Sequence, residues 1–407
     1  MKTKMIVLVT VGVLLVVGGM VYANEGRSTQ VNQVNNEDRQ PMLASVVSAG
    51  RVSSFAIMPD SSLWAWGHNG QGQLGDGAIT SRRSPVKVMD DVIYVSAGDS
   101  HTMAIRADNS LWGWGWHSGS LGDGETRSSS IPIKIMEDVI AVSAAYSHTM
   151  AIKSDGSLWA WGSNGEGQLG NGTTTNSSIP INIMDNVVYV SAGRSHTMAI
   201  KTDGNLWAWG DNWSGQLGDG TTINRHSPVK IMEDVISVSA GNSYTMAIKT
   251  DGSLWGWGDN GFNQLGDDWS RNRYYPVRIM EDVAAVSAGD SHVMAIRNDG
   301  SLWAWGYPGS GRLGSTPPPS YLRPSHPAFS GQPSVPPPPS KGGVSVHLMV
   351  MDDVKAVSAG GGHTLVIKTD GSLRTWGSNI SGQLGRSGEE SGPSIPAQTA
   401  ESAIRPN

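Results

Sequence analysis

Val190-Ser-Ala-Gly193, Ser195-His-Thr-Met-Ala-Ile-Lys201, Leu206-Trp-Ala-Trp-Gly210 and Gly215-Gln-Leu-Gly218 follow one another along a single stretch of the chain. Nearly the same text opens six more times, at Val47, Val95, Val142, Val238, Val286 and Val357. The first six of the seven openings lie 47 or 48 residues apart, and the last interval is 71. Self-similarity at such a period is typical of solenoids, propellers and repeat arrays, and it outweighs any local motif. The seven copies therefore decide the fold.

Each copy predicts four short antiparallel strands. In the fourth copy, Val187 to Val190 is rich in strand-favouring residues, and Thr197 to Lys201 alternates in strand fashion up to the turn signal Asp203-Gly204. Leu206 to Trp209 is the third strand, and Pro228 to Met232 is the fourth. Four strands in a unit of this length form the blade of a β-propeller. We therefore predict an all-β, seven-bladed β-propeller of four-stranded antiparallel blades.

The first strand of each copy is expected to lie nearest the propeller axis, because it ends in small residues such as Ser191-Ala192-Gly193. An open solenoid is the alternative, but its ends would need caps, and no segment looks like one. The last copy is degenerate, since Leu373-Arg-Thr-Trp-Gly377 lacks one Trp of the repeat and Ile395 to Thr399 matches the fourth strand poorly. Residues from Pro41 to Val46 are therefore expected to help close the ring.

Composition limits the chemistry that the chain can perform. The 407 residues include no Cys, which excludes cysteine nucleophiles, cysteine metal sites and a disulfide framework. The formal net charge is −6 and no basic run is present, so nucleic acid is not expected as a partner. Apart from Trp116, Trp213 and Trp269, all of the 16 Trp residues fall in the repeated third strand, so the richness in Trp is architectural.

The N-terminus is typical of an export signal. Lys2 and Lys4 precede an apolar run from Met5 to Val17, and small residues lead to Ala23. A basic start, an apolar middle and a small residue at the cut predict a signal peptide over residues 1–23. We therefore expect a secreted or envelope-associated protein.

The remaining segments divide the chain as follows. An uncleaved membrane anchor is the alternative to the signal peptide, because Met5 to Tyr22 is just long enough to span a bilayer. Residues 24–40 are polar and are expected to form a flexible spacer, which leaves 41–407 for the propeller. The sixth copy carries a proline-rich insert at 315–343, interpreted as an exposed loop; a tolerated insertion and a partner-docking arm are the two roles considered.

The repeated Ser-His-Thr, Asp-Gly, Leu-Trp-Ala-Trp-Gly and Gly-Gln-Leu-Gly sets resemble the regulator-of-chromosome-condensation repeat family, over about Val47 to Thr399. This resemblance implies a seven-bladed propeller and implies little about function, because functional sites are grafted onto folds. Nuclear members of the family exchange guanine nucleotide on a small GTPase and bind chromatin. The expected compartment and the acidic charge of this chain do not suit that role.

Two other groups in the family are informative. The plant ultraviolet photoreceptor members place Trp two positions before the repeated His, where this chain has Arg51, Asp99, Tyr146, Arg194, Asn242, Asp290 and Gly361. The tryptophan chromophore cluster is therefore missing. Secreted bacterial members inhibit β-lactamases through an aromatic-lined face, and this group agrees best with the chain in expected compartment, size and blade number.

Three repeated patterns that carry chemistry in other proteins are interpreted here as structure. Gly70 to Gly75 and Gly165 to Gly170 match the dinucleotide fingerprint, but no helix follows to hold a pyrophosphate. The recurrent His is expected to be a buried hydrogen-bonding residue, at His101, His148, His196, His292 and His363. The recurrent Asp beside the second turn is expected to be a turn residue, at Asp108, Asp155, Asp203, Asp251, Asp299 and Asp370. We find no carboxylate pair suited to hydrolysis, so we expect no enzyme activity, no metal and no cofactor.

The copies differ most on the face that carries the first-to-second and third-to-fourth loops, which we call the loop-bearing face. Exposed aromatics ringed by charges are typical of a protein-interface hot spot, and packing of the loops is the alternative role for them. The residues that we predict to bind a partner are Asp99, Trp116, Tyr146, Arg194, Trp213, Asn242, Phe262, Asp290 and Tyr307.

The sequence thus predicts an exported, non-enzymatic and monomeric propeller that binds an extracellular or envelope protein, for example as an inhibitor of a β-lactamase. The first alternative is a carbohydrate-binding module of the cell envelope, because aromatic platforms also stack on sugars. A hydrolase on the same face is a further alternative, and a regulator resembling a guanine-nucleotide exchange factor is another, which rests on the family resemblance alone.

Overall fold

The computed structural model describes residues 43–116, 119–125, 127–267, 269–315, 347–386 and 397–398. These residues form seven four-stranded antiparallel sheets, and in each sheet the strand order follows the chain. This result confirms the predicted all-β, seven-bladed propeller of four-stranded blades.

Each of the first four blades consists of four consecutive strands. Blade 1 has β1 (Val46–Ala49), β2 (Ser53–Ile57), β3 (Leu63–Gly67) and β4 (Arg82–Met89). Blade 2 has β5 (Val92–Ala97), β6 (His101–Arg106), β7 (Leu111–Gly115) and β8 (Ser129–Met136). Blade 3 has β9 (Val139–Ala144), β10 (His148–Lys153), β11 (Leu158–Gly162) and β12 (Ser177–Met184). Blade 4 has β13 (Val187–Ala192), β14 (His196–Lys201), β15 (Leu206–Gly210) and β16 (Arg225–Met232).

The last three blades repeat this plan. Blade 5 has β17 (Val235–Ala240), β18 (Tyr244–Lys249), β19 (Leu254–Gly258) and β20 (Arg273–Met280). Blade 6 has β21 (Val283–Ala288), β22 (His292–Arg297), β23 (Leu302–Gly306) and β24 (Leu348–Met351), with a 3-10 helix at Gly309–Gly311. Blade 7 has β25 (Val354–Ala359), β26 (His363–Lys368), β27 (Leu373–Gly377) and β28 (Ala397–Gln398).

The first strand of each blade lies innermost, as its small residues predict. First-strand Ser and Ala residues from all seven blades line a cavity of about 100 Å³ on the axis. The backbones of neighbouring blades approach so closely there that a Cβ atom on Gly98 would lie 2.3 Å from the carbonyl oxygen of Ala145. Only glycine fits at this position without a shift of the backbone.

Neighbouring blades meet at interblade seams that repeat the same polar contacts. Trp209 Nε1 and Thr197 Oγ1 both donate to the carbonyl oxygen of Gln168 in the preceding blade, each at 2.9 Å. The matching Trp of the other blades donates to the carbonyl oxygens of Gln73, Ser120, Gln216, Gln264, Arg312 and Gln383. Nearer the axis, the Ala192 amide donates to Ser143 Oγ at 3.0 Å, and this bond recurs at all seven seams. The seams thereby satisfy buried donors that would otherwise be costly.

The ring closes through the first described residues. The Ala44 amide donates to the Gly371 carbonyl oxygen at 3.0 Å. The same contact joins blades 3 and 4, where the Val187 amide donates to the Gly156 carbonyl oxygen. Leu43 also forms an isolated bridge with the hairpin of the last blade. Leu43 and Ala44 thus contact blade 7 where closure is expected, whereas Pro41 and Met42 lie outside the described residues. The degenerate fourth strand, β28, pairs with β27 at only two positions.

Several predicted segments lie outside the described residues. These are the signal segment 1–23, the spacer 24–40 and nearly all of the proline-rich insert 315–343. Their boundaries remain predictions. In the part of the chain that the structure describes, no helix combines the length and the apolar character needed to cross a membrane.

Candidate partner-binding face

An axial cavity of about 140 Å³ opens at the centre of the loop-bearing face. Each blade contributes three consecutive residues to it, and the third of them, in the turn between its first and second strands, is the one that varies most from blade to blade. These third residues are Arg51, Asp99, Tyr146, Arg194, Asn242, Asp290 and Gly361. The structure therefore brings together five of the nine predicted site residues, together with Arg51, around one opening.

One half of the axial cavity holds two carboxylates and a shared cation. Arg51 Nη1 lies 3.6 Å from Asp99 Oδ2, and Arg51 Nε lies 3.8 Å from Asp290 Oδ2. Gly361 permits this arrangement, because a Cβ atom there would lie 2.7 Å from Arg51 Cγ and 3.1 Å from Asp290 Oδ2. Burial raises the pKa of the Asp99 carboxyl above its ordinary value, although the positive charge of Arg51 acts to lower it.

The other half of the axial cavity is basic and aromatic. The Arg194 guanidinium lies over the Tyr146 ring, 4.9 Å from its centroid, in a cation–π contact. Asn242 follows in the next blade, and its buried Oδ1 accepts no hydrogen bond from the described residues. Charge is thus distributed unevenly around the opening, with Asp99 and Asp290 on blades 2 and 6 and Arg194 between them on blade 4, two blades from each.

An aromatic patch lies farther from the axis, on the loop-bearing face of blades 4 to 6. We define the aromatic patch as Trp213, Phe262, Trp269, Tyr274, Tyr275 and Tyr307, all of them exposed. The Phe262 and Tyr307 rings pack at a centroid distance of 5.0 Å, and the Arg273 guanidinium lies 5.5 Å from the centroid of Trp269. Trp213 is the most open of the six, with 76% of its surface exposed.

Arg312 connects the aromatic patch to the axial cavity. Its guanidinium lies 4.9 Å from the centroid of the Tyr307 ring, and its Nη1 donates to the Gly361 carbonyl oxygen at 2.9 Å. Because Gly361 lines the axial cavity, the two features form one continuous surface. Trp116 stands apart from this surface, since it lies on blade 2, although it is exposed as well.

Sequence reasoning missed Arg312, Tyr274 and Tyr275 as members of this surface. Arg312 replaces the Gln of the repeated Gly-Gln-Leu-Gly turn, and Tyr274 stands where the neighbouring copy has His226. A copy-by-copy comparison of these two positions would have identified them. Tyr274 lies in β20, the fourth strand of blade 5, and the strand pattern alone does not indicate that its side chain is exposed on the loop-bearing face.

A buried asparagine makes the loops of this face rigid. Asn212 Oδ1 accepts the Leu217 amide at 3.0 Å, and its Nδ2 donates to Asp219 Oδ1 at 3.0 Å and to the Thr221 carbonyl oxygen at 3.1 Å. Asn164 forms the equivalent network around Gly165 to Gly170. The fingerprint-like segments are therefore structural turns, as predicted, and Trp213 projects from an ordered loop.

The recurrent histidines lie buried in the seams, as predicted. His148 Nε2 lies 3.0 Å from Thr197 Oγ1, and His196 Nε2 lies 3.1 Å from Thr245 Oγ1. Burial lowers the pKa of His148 and of His196 to about 3, so both rings are neutral at physiological pH. Among the described residues, no group of His, Asp and Glu side chains is placed to hold a metal ion.

The recurrent Asp residues close the hairpins on the opposite face, which confirms their interpretation as turn residues. Asp155 Oδ1 accepts the Ser157 amide at 2.9 Å and the Ser157 hydroxyl at 2.6 Å. Ser157 Oγ in turn accepts Trp159 Nε1 at 2.9 Å. The hydrogen bond from the Ser157 hydroxyl lowers the pKa of the Asp155 carboxyl, so it stays ionised.

Comparison with protein families matches almost the whole propeller. The RCC1-like domain model matches residues 132–394, and the regulator of chromosome condensation (RCC1) repeat matches residues 60–105, 108–152 and, in a second form, 92–120. Comparison with curated proteins gives no significant match.

Solved structures share the fold at low sequence identity. Human WBSCR16 is 21% identical with a TM-score of 0.69, over 83% of this chain and 94% of that chain. Prp20p from Saccharomyces cerevisiae, described with its binding properties to Gsp1p and histones, is 22% identical with a TM-score of 0.71, over 89% of this chain and 88% of that chain. Yeast RCC1 (Prp20) bound to Kap60 is 20% identical with a TM-score of 0.69, over 94% and 92%. These identities establish the shared fold alone, whereas the family model covers more than half of the sequence, and the chain therefore belongs to the RCC1-like domain family.

Proposed function

We propose that this chain is a non-enzymatic binding module that engages a protein partner through its loop-bearing face. The aromatic patch would supply the apolar anchors, and the axial cavity would supply the adjoining polar contacts. The observation that carries this proposal is the concentration of six exposed aromatics on three neighbouring blades. In blades 1 and 3, the loop position of Trp213 is held by Gly70 and Gly165, so the repeat itself does not require an aromatic there.

The physical character of the aromatic patch favours protein recognition. Trp and Tyr dominate the binding energy of protein interfaces, because each buries a large area with few rotatable bonds. Contiguous exposed apolar patches rimmed by polar residues are typical of protein-interaction sites, whereas singly exposed apolar residues are common on any protein surface. Relatives of the same fold also engage proteins, since Prp20p is described with Gsp1p and histones and also bound to Kap60.

The geometry of the axial carboxylates supports a binding role over a hydrolytic one. Asp99 and Asp290 line the same cavity, but Arg51 contacts both of them. A cation therefore lies between the two carboxylates, where a hydrolase would need its substrate and its water.

The finer part of the proposal concerns compartment and partner. Lys2, Lys4 and the apolar run from Met5 to Val17 support export, and an exported propeller would meet extracellular or envelope proteins. Inhibition of an extracellular enzyme such as a β-lactamase is the role that we propose first, because the secreted members of the family that the sequence resembles act in this way.

The test measures binding of the chain from Asn24 onward to extracellular and envelope proteins, with purified β-lactamases included individually. A captured protein should lose at least about tenfold in affinity when Trp213 and Phe262 are both changed to Ala, since each is placed to act as a hot-spot anchor. Trp116→Ala is the matched control, because Trp116 is exposed but lies outside the aromatic patch.

Unchanged affinity in the double variant would reject the aromatic patch as the binding site. Binding of glycans rather than proteins, with the same dependence on Trp213, would favour the carbohydrate-binding alternative. Equal losses in the double variant and in Trp116→Ala would indicate a footprint centred elsewhere on the loop-bearing face.

A further inference from the structure

The charges around the axial cavity are not equally compensated. Asp99 and Asp290 share Arg51 as their counter-ion. Arg312 donates to the carbonyl oxygens of Gly309 and Gly361. Arg194 differs from both cases, since within the described part of the chain it forms a contact with an aromatic ring and no ion pair with a carboxylate. Among the described residues, the N–H groups of the Arg194 guanidinium therefore have neither a carboxylate nor a carbonyl oxygen as an acceptor, although the positive charge of Arg194 acts to lower the pKa of Asp99.

Tyr146 fixes the position of this charge. The guanidinium carbon of Arg194 lies 4.9 Å from the centroid of the Tyr146 ring, and a cation–π contact uses none of the N–H donors as hydrogen bonds to another polar atom, so they stay available for another group. Tyr146 and Arg194 come from neighbouring blades 3 and 4, whose backbones are held by the seam bond from Ala192 to Ser143. The guanidinium is thus pre-organised, and little side-chain entropy remains to be lost on binding.

The planar fork of donors on Arg194 matches one chemical group on a protein partner. Carboxylates accept two parallel N–H bonds from a guanidinium, and such charge-assisted pairs are stronger than neutral hydrogen bonds. Asp99 and Asp290, two blades away on either side of Arg194, would repel a carboxylate that entered the cavity away from Arg194. The cavity can therefore select both the charge and the side on which that charge enters.

We infer that Arg194, stacked on Tyr146, is the receptor for an Asp or Glu side chain that the protein partner inserts at the mouth of the axial cavity. This inference rests on the proposed function and adds the chemistry of the partner. A partner would combine apolar contacts to the aromatic patch with one acidic side chain directed toward the propeller axis.

The test uses a phage-displayed library of short random peptides as the probe, selected on the immobilised protein. Peptides retained by the wild-type chain should be enriched in Asp and Glu, and their affinity should fall about tenfold in Arg194→Gln, the loss that one charge-assisted pair represents. Arg194→Lys should give an intermediate loss, because an ammonium keeps the charge without the fork. Tyr146→Leu should also weaken binding, because the guanidinium loses its support.

The matched control is Arg127→Gln, which removes the same charge from an exposed arginine on blade 2, outside the axial cavity. It should leave the acidic peptides bound with unchanged affinity. If retained peptides show no excess of Asp and Glu, or if Arg194→Gln and Arg127→Gln lose equally, the inference is overturned.

The same selection separates failure of this inference from failure of the proposed function. Peptides that lack acidic residues but lose affinity in Trp213→Ala would overturn the role of Arg194 and leave the proposed binding face intact. If no peptide is lost in Trp213→Ala or in Arg194→Gln, or if none is retained at all, both the face and the receptor are rejected.

Discussion

The interblade seams and the loop-bearing face belong to the same repeats but follow opposite rules. In the seams, one pair of donors, such as Thr197 and Trp209, meets one carbonyl oxygen, and nearly every copy repeats the arrangement. On the loop-bearing face, the residues around the axis differ from blade to blade, from Arg51 to Gly361. The ring closes only if each blade presents the donors and acceptors that its neighbour requires. Sequence variation is therefore tolerated only at positions that supply none of these donors and acceptors.

This difference separates the residues that build the propeller from those free to recognise a partner. Asn212 belongs to the first class, because its amide holds the loop through contacts with Leu217 and Asp219. Trp213, the next residue, belongs to the second class, since its side chain projects into solvent. Adjacent residues can therefore have opposite roles, one structural and one available for recognition.

The largest effect should come from protonating the seam histidines. Burial lowers the pKa of His148 and of His196 to about 3 and that of His363 to about 4, against about 6.5 for an unfolded chain. The unfolded state then binds protons that the folded state does not, so stability falls as the pH drops from about 6.5 toward the folded values. The free energy of unfolding in urea should fall by several kcal/mol between about pH 7 and about pH 5.

One copy of the chain supplies a variant that sharpens this pH test. Tyr244 occupies the histidine position in blade 5, where its hydroxyl donates to the carbonyl oxygens of Gly289 and His292. His196→Tyr should therefore reduce the pH-dependent loss by about 2 kcal/mol over the same interval. An unchanged pH dependence would show that His196 is not kept neutral by its seam.

The next largest effect should follow from removing a seam indole. Trp209→Ala should lower the free energy of unfolding by about 3–5 kcal/mol, because it leaves a cavity and removes one of the two donors to the Gln168 carbonyl oxygen. Trp207→Ala is the control in the same strand, since this ring is only half-buried and its Nε1 has no partner among the described residues. Chemical denaturation should show a clearly smaller loss for Trp207→Ala; equal losses would contradict the division between the two rings.

A smaller effect should come from the hydroxyl ring around the axis. Ser143→Ala removes the acceptor of the Ala192 amide and should cost about 1–2 kcal/mol, the usual penalty for a buried donor left unpaired. Ser163→Ala, in a loop of the same blade, is the matched control and should change little. If Ser143→Ala leaves the free energy of unfolding unchanged, water replaces the lost hydroxyl in the cavity of about 100 Å³ that the first strands line.

The seams were accessible to sequence reasoning, and the surface was accessible only in part. The seven copies of the repeat predicted the number of blades, and the small residues after Val190 predicted that the first strand lies innermost. The position just after the small residues of the first strand recurs once in each copy. The sequence therefore also predicted that Asp99, Tyr146 and Arg194 lie around the axis. Each of these steps depends on local spacing, which repeats in the sequence.

The link between the aromatic patch and the axial cavity could not be predicted in the same way. Arg312 reaches the carbonyl oxygen of Gly361 across a segment that includes the whole insert of the sixth copy. Its contacts depend on how far a side chain extends between blades, which no spacing encodes. The identity of the partner could not be predicted either, because recognition also depends on the surface of the partner, which this sequence does not contain.

The smallest effect on stability should come from the aromatic patch, and this is where the division between seam and surface can be refuted most directly. Trp213→Ala should change the free energy of unfolding by no more than about 0.5 kcal/mol, since 76% of the residue is already in water and the Asn212 network beneath it is untouched. Phe262→Ala should cost about 1 kcal/mol, because its ring packs on Tyr307. Thermal and urea unfolding measure both values.

A cost above about 2 kcal/mol for Trp213→Ala would mean that the ring packs the loop, because removal of a side chain already exposed to water can cost that much stability only by disrupting its neighbours. In that case the exposed aromatics would belong with the seams, and the reason for placing a binding site on blades 4 to 6 would disappear.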